Sequence, residues 1–215
     1  MRKIEIATIG VVFGAVPIVI CFLAGWWISI PFVPESWIFL CALAGLLVGL
    51  VVDLLFLKSW VQHAYSMKPL VWMMVYLFYS IGMFGFFMGV PVFNVALALP
   101  AGFFIGGWLA HSGADFTRVK KVARHSAVFT ACVLALVCIA SATIALTSSS
   151  TAFDLGGMFR LPFQITPAMI IAIIAGGGIA ILILQWWLTF TFVERAYKYF
   201  IARIGPSTVT RSGSR

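Results

Sequence analysis

The chain has 215 residues, 63% of them hydrophobic and 9% charged, with a formal net charge of +8. A soluble globular domain is nearer half apolar and a quarter charged, so this composition excludes an ordinary water-solvated core and points to lipid as the solvent. The positive charge does not imply nucleic acid, because the basic residues flank apolar runs, where the positive-inside rule puts them.

A spanning helix needs about 20 mostly apolar residues. Six segments meet that requirement, and lipid offers no partner for backbone amides, so each is expected to be helical. The first, 6–30, follows Met1-Arg2-Lys3. It is about twice as long as a signal-peptide core and no small-x-small site ends it, so it reads as a retained span. The second, 37–57, carries Gly45, Gly49 and Asp53 at four-residue steps, hence on one face. The third, 69–89, opens on Pro69, where a missing N–H costs little. Gly89-Val90-Pro91 leaves room only for an antiparallel hairpin into the fourth span, 91–111.

Span four has a small-residue face of Asn94, Ala98, Gly102, Gly106 and Ala110. Pro100, mid-span, cannot donate to the Ala96 carbonyl; Asn94 reads as bonding a neighbouring helix with Pro100 merely bending its own, and a small polar pocket formed by Asn94 and that carbonyl is the alternative. A basic connection with Arg118, Lys120, Lys121 and Arg124 leads to span five, 126–147, with Ala127, Ala131 and Ala135 on one face. The loop 148–166, holding Asp154, Gly156-Gly157 and Arg160, reads as solvated, with an outer flap as the alternative.

Span six, 167–191, has the stripe Ala168, Ala172, Gly176 and Ala180. Gly176, Gly177 and Gly178 weaken the helix by about 1 kcal/mol each relative to Ala, so they are candidate hinge residues or points of close contact. Gln185, lower in the span, is expected to make a packing hydrogen bond. Residues 193–204 alternate apolar Val193, Ala196, Tyr197 and Phe200 with charged Glu194, Arg195, Lys198 and Arg203. The last helix is therefore expected to outlast the membrane as an amphipathic juxtamembrane helix lying on anionic lipid or against a partner. Gly205-Pro206 ends it, and 206–215 is expected to be a disordered cytoplasmic tail.

Thirteen of the fourteen Lys and Arg residues fall on one side of this zigzag, and only Arg160 on the other. Both termini are therefore expected to be cytoplasmic, in a bacterial or archaeal plasma membrane. The tryptophans cluster near span ends, at headgroup depth. Small residues in every span predict one domain over 1–205, a compact all-α bundle of six transmembrane helices. In such a bundle Asp53 points inward, protonated or paired, with Lys58, Lys68, His111 and Arg118 as candidate partners.

No catalytic, cofactor or metal site is expected. His63, His111 and His125 sit at span ends and lack the spacing for haem or a metal. There is no G-x-S-x-G and no Walker loop. Cys21, Cys41, Cys132 and Cys138 lie within apolar runs, form no C-x-x-C and read as buried small residues. Two functions stay open. One is a transport or substrate-binding membrane component for a small neutral or largely apolar molecule, using Asn94, Ala96, Pro100, Asp53 and Gln185. The other is a non-catalytic accessory subunit, joined to other membrane subunits through the small-residue seams or the 193–204 helix. Besides these the expected partner is the lipid bilayer, and an enzyme is the least favoured reading.

Overall fold

The computed structural model describes residues 3–148 and 166–204. Of these, 91% are helical and none is in a strand. Six helices are long and apolar enough to cross a membrane, which is compatible with a polytopic membrane protein. In chain order they are α1 (Lys3–Ser29), α2 (Glu35–His63), α3 (Pro69–Phe86), α4 (Ala98–His111, led by a 3₁₀ segment Pro91–Leu97), α5 (Phe116–Thr147) and α6 (Pro167–Ile204). The chain divides into two compact units, Met1–Val75 and Tyr76–Arg215.

In the first unit α1 and α2 pack antiparallel at backbone contact. Small residues make that approach possible. A Cβ at Gly25 would stand 2.5 Å from the Cys41 carbonyl, and one at Gly49 would stand 2.6 Å from the Ile18 Cα. A Cβ at Gly45 would meet the Cys21 carbonyl oxygen. Without a hydrophobic drive between helices in lipid, association rests on such close packing. Nearer the α1 N-terminus the aromatic rings of Phe13 and Trp72 meet edge to face, 4.8 Å apart, and the Trp72 indole N–H donates to the Ala64 carbonyl at 3.1 Å.

In the second unit α6 is the central element, packed on both α4 and α5. The predicted span-four face is buried throughout: Asn94, Ala98, Gly102, Gly106 and Ala110. A Cβ at Gly102 would lie 2.5 Å from the Phe192 Cβ, and one at Gly106 would lie 2.7 Å from the Val193 carbonyl. The stripe on span six behaves differently. Ala172, Gly176 and Ala180 are exposed among the described residues, and nothing lies within 4 Å of a Cβ at Gly176, Gly177 or Gly178. The alternative that the triplet serves a close helix contact is therefore not met among the described residues.

Four expectations change. Pro100 is not mid-helix but the third residue of α4, and the seven residues before that helix are 3₁₀. The proline ring clashes with the carbonyl four residues back, so the α geometry breaks upstream of it. Helix α5 begins at Phe116 rather than near 126, because Val119, Ala123 and Ala127 continue its buried stripe through the basic stretch. Residues 193–204 continue α6 in one unbroken helix of 38 residues, as the pattern predicts, but what covers their apolar face differs from the expectation. The apolar face of that segment is covered by this chain itself. Val193 packs with Leu109, Val119 and Ala123, while Ala196 and Phe200 pack with Ala110. Finally, Cys132 is exposed and the other three cysteines are half-buried rather than buried. The loop 148–166, read as solvated or as a flap, and the tail 206–215 lie largely or wholly outside the described residues.

Two turns fix the connections within the second unit. Helix α3 ends with Met88 and Gly89 in the left-handed region, at φ 53° and 81°, and the Gly89 N–H returns to the Phe84 carbonyl at 2.8 Å. Helix α4 ends at Gly113, at φ 65°, with the Ala114 N–H bonded to the Leu109 carbonyl. Each is the left-handed closure that satisfies orphan carbonyls at a helix end. The Tyr197 hydroxyl then donates to the Ala114 carbonyl at 2.6 Å, tying α6 to the α4–α5 turn.

Candidate functional site

The second unit carries a ladder of buried polar side chains. Tyr76 and Ser80 sit one turn apart on α3, and Gln185 and Thr189 one turn apart on α6. The Asn94 side-chain amide donates to the Ser80 carbonyl and to its hydroxyl, both at 2.8 Å. The Gln185 amide donates to the Tyr76 hydroxyl at 3.1 Å. The Thr130 and Thr189 hydroxyls meet at 3.0 Å, and since Thr130 also donates to the Ala127 carbonyl, Thr189 is the donor between them. These bonds join α3 to the 3₁₀ segment, to α6 and, through α6, to α5. Asn94, Ser80, Gln185, Thr130 and Thr189 are each at most 2% exposed.

Two acceptors on this ladder have no partner among the described residues. They are the side-chain carbonyl oxygens Asn94 Oδ1 and Gln185 Oε1. An unmet buried acceptor forfeits about 1–3 kcal/mol, and most buried polar atoms in folded proteins do find partners. In both residues the NH₂ end is held by the chain and the C=O end is left over. The anchor residues Tyr76 and Ser80 are one helical turn apart, about 6 Å along α3. Each of the two oxygens retains the capacity to accept a hydrogen bond.

Asn94 therefore sits where the sequence places it, on the inward face of its span, but in a 3₁₀ segment. Seven residues is long for that geometry, and mid-span 3₁₀ stretches often mark hinges. Ala96 does not present a free carbonyl: the Ala98 N–H turns back toward it and toward Val95. Ala96 and Pro100 thus shape the segment that carries Asn94. Gly176, Gly177 and Gly178 lie two to three turns up α6 from Gln185, inside continuous helix.

No family model, curated protein or solved structure matches this chain.

Asp53 belongs to the first unit and is 8% exposed. It faces α1: a Cβ at Gly14 would lie 3.3 Å from its Oδ2. Its Oδ1 has no hydrogen-bond partner, and neither Lys58 nor Lys68 pairs with it among the described residues. The other two candidate partners are engaged within the second unit. Arg118 stands over the Trp108 ring at 5.9 Å, and His111 Nδ1 lies 2.8 Å from the Gly107 carbonyl.

Several contributors were not singled out from the sequence. Ser80, Tyr76, Thr130 and Thr189 are common residue types whose importance comes only from a partner in another helix. A signal did exist in the four-residue pairings Tyr76/Ser80 and Gln185/Thr189, each a polar pair inside an apolar span. Glu5, in the first turn of α1, is 3% exposed and was equally unmarked. A carboxylate there complements the positive end of the helix dipole.

Proposed function

We propose that the chain is the membrane-embedded binding component of a transport process for a small, neutral, largely apolar molecule that donates hydrogen bonds. The observation that carries this reading is the pair of unpartnered carbonyl oxygens on Asn94 and Gln185, buried in an apolar unit and anchored one turn apart. A pure scaffold gains nothing from two unmet acceptors, whereas a binding site needs them where a ligand supplies the donors. The bilayer setting is supported by the six apolar helices, and cytoplasmic termini by the thirteen basic residues on one side. A bacterial or archaeal plasma membrane completes this reading.

A non-catalytic accessory subunit is the second reading. What favours it is the open glycine surface: Gly82, Gly85 and Gly176 to Gly178 have no neighbour within 4 Å of a Cβ among the described residues. Such faces admit close approach of a helix from another subunit.

One experiment separates the two. The protein is extracted in mild detergent and everything that travels with it is identified by mass spectrometry. The first reading expects a small molecule on the wild type that is lost in Asn94→Ala and Gln185→Met, while Thr143→Ala retains it. Thr143 is exposed and bonds only within its own helix. A second protein recovered in fixed stoichiometry, with no small molecule, decides for the accessory subunit.

A further inference from the structure

An apolar groove of about 720 Å³ runs along the first unit, lined by Ile6 and Gly10 of α1 and by Leu57, Lys58, Val61 and Gln62 of α2. The volume lies within the range of about 300–1,000 Å³ typical of small-ligand sites. Its lining is ordered. Leu57 and Val61 are four apart, as are Lys58 and Gln62, so α2 gives the groove one apolar edge and one edge of N–H donors. Ile6 and Gly10 form the facing apolar wall. Gly10 supplies the recess, since a Cβ there would meet only the Val61 Cγ2, at 4.0 Å.

Charge then selects the occupant. The two carboxylates of this region, Glu5 and Asp53, are 3% and 8% exposed and so withdrawn from the surface. The charged group that lines the groove is the exposed Lys58 ammonium, with the exposed Gln62 amide one turn further on. Both lie in the last turns of α2, which ends at His63, beside Trp60 stacked on Phe56. One turn back, Leu54 and Leu55 are 85% and 67% exposed. The surface thus passes from apolar to cationic along the helix, the order of chain and headgroup in an amphiphile, with tryptophan at the depth this ring prefers.

We propose that this groove holds one anionic phospholipid, its phosphate against Lys58 and Gln62, its glycerol over the recess at Ile6, Gly10 and Val61, and an acyl chain leading inward past Leu57 and the exposed Leu54. A single lysine near an anionic headgroup strengthens binding about fivefold. The proposal rests on the bilayer reading above but not on the ligand of the polar ladder.

The test is native mass spectrometry of the full chain in mild detergent, offered phosphatidylglycerol and phosphatidylcholine with identical acyl chains. The wild type is expected to retain phosphatidylglycerol preferentially. Lys58→Ala should lose about fivefold of that retention, Gly10→Leu should lose both lipids by filling the recess, and Lys68→Ala, outside the groove, should behave as wild type. Helix content by far-UV circular dichroism checks that each variant is folded. Equal retention of the two lipids by the wild type, or undiminished phosphatidylglycerol on Lys58→Ala, overturns the site. Competition by soluble glycerol phosphate as effective as the lipid overturns the acyl half. Protein that stays dissolved without detergent overturns the bilayer reading as well, whereas lost headgroup preference in detergent-extracted protein overturns this site alone.

Discussion

Asp53 and Gln185 are both buried with an oxygen unpartnered among the described residues, and they differ in what that oxygen costs. Gln185 is neutral and its other end is bonded to Tyr76, so the residue is half satisfied. Asp53 carries an ionisable group against the Gly14 backbone with no donor for Oδ1. Replacing it by the isosteric amide removes the cost of burying or protonating a carboxyl without changing the packing. Asp53→Asn is therefore expected to raise the unfolding free energy by about 1–2 kcal/mol, measured as a higher thermal midpoint in detergent. A lower midpoint would mean that the carboxylate has a partner that holds it. Thr130→Val makes the opposite comparison. It strands the Thr189 hydroxyl, and interhelical bonds of this kind contribute about 0.6 kcal/mol on average in membranes. Its melt should drop only slightly.

Among the elements, the glycines sort into two kinds that look alike in sequence. Gly49, Gly102 and Gly106 sit where a Cβ would overlap backbone or side-chain atoms below 3 Å. Gly106→Ala should separate α4 from α6 and lower the melting midpoint sharply, by about 2 kcal/mol or more for such overpacking. Gly176 meets nothing within 4 Å, so Gly176→Ala should leave the midpoint unchanged or raise it by about 1 kcal/mol through helix propensity. Loss of transport with retained stability in that variant would identify the triplet as a hinge. The α4 face was legible because five small residues repeat every four positions and all are buried. The start of α5 was not, because the charges at 118–124 look like a loop. Yet Val119, Ala123 and Ala127 keep the helical stripe beneath them, while Lys120 lies over the Phe116 ring. The 3₁₀ segment had a visible cause in Pro100, but its extent depends on the return of the Ala98 N–H, which no spacing reveals.

At the level of the whole molecule, composition and apolar run length were enough to specify six apolar helices, because runs with so few polar side chains leave the backbone amides little to bond but one another. The polar ladder was half legible: Asn94 and Gln185 stood out as polar residues in apolar spans, whereas Ser80 and Tyr76 acquire their role only through the packing that brings α3 to them. Orientation is open to a direct check. With the four native cysteines replaced, Lys120→Cys should react with a membrane-impermeant thiol reagent only when the cytoplasmic face is accessible. Labelling from outside intact cells would reverse the proposed topology.

The unbroken course of α6 has a mechanical consequence. Its 38 residues extend about 57 Å at 1.5 Å per residue, well beyond a hydrocarbon layer of about 30 Å. Gln185 and Phe200 stand on one rigid shaft, about 22 Å apart along its axis, with no joint between them. On the proposed binding reading, a tilt imposed at the amide would be delivered, like the throw of a lever, to the ring that packs against Ala110 and lies beside His111. Occupancy of the proposed site would then become a displacement at the charged end.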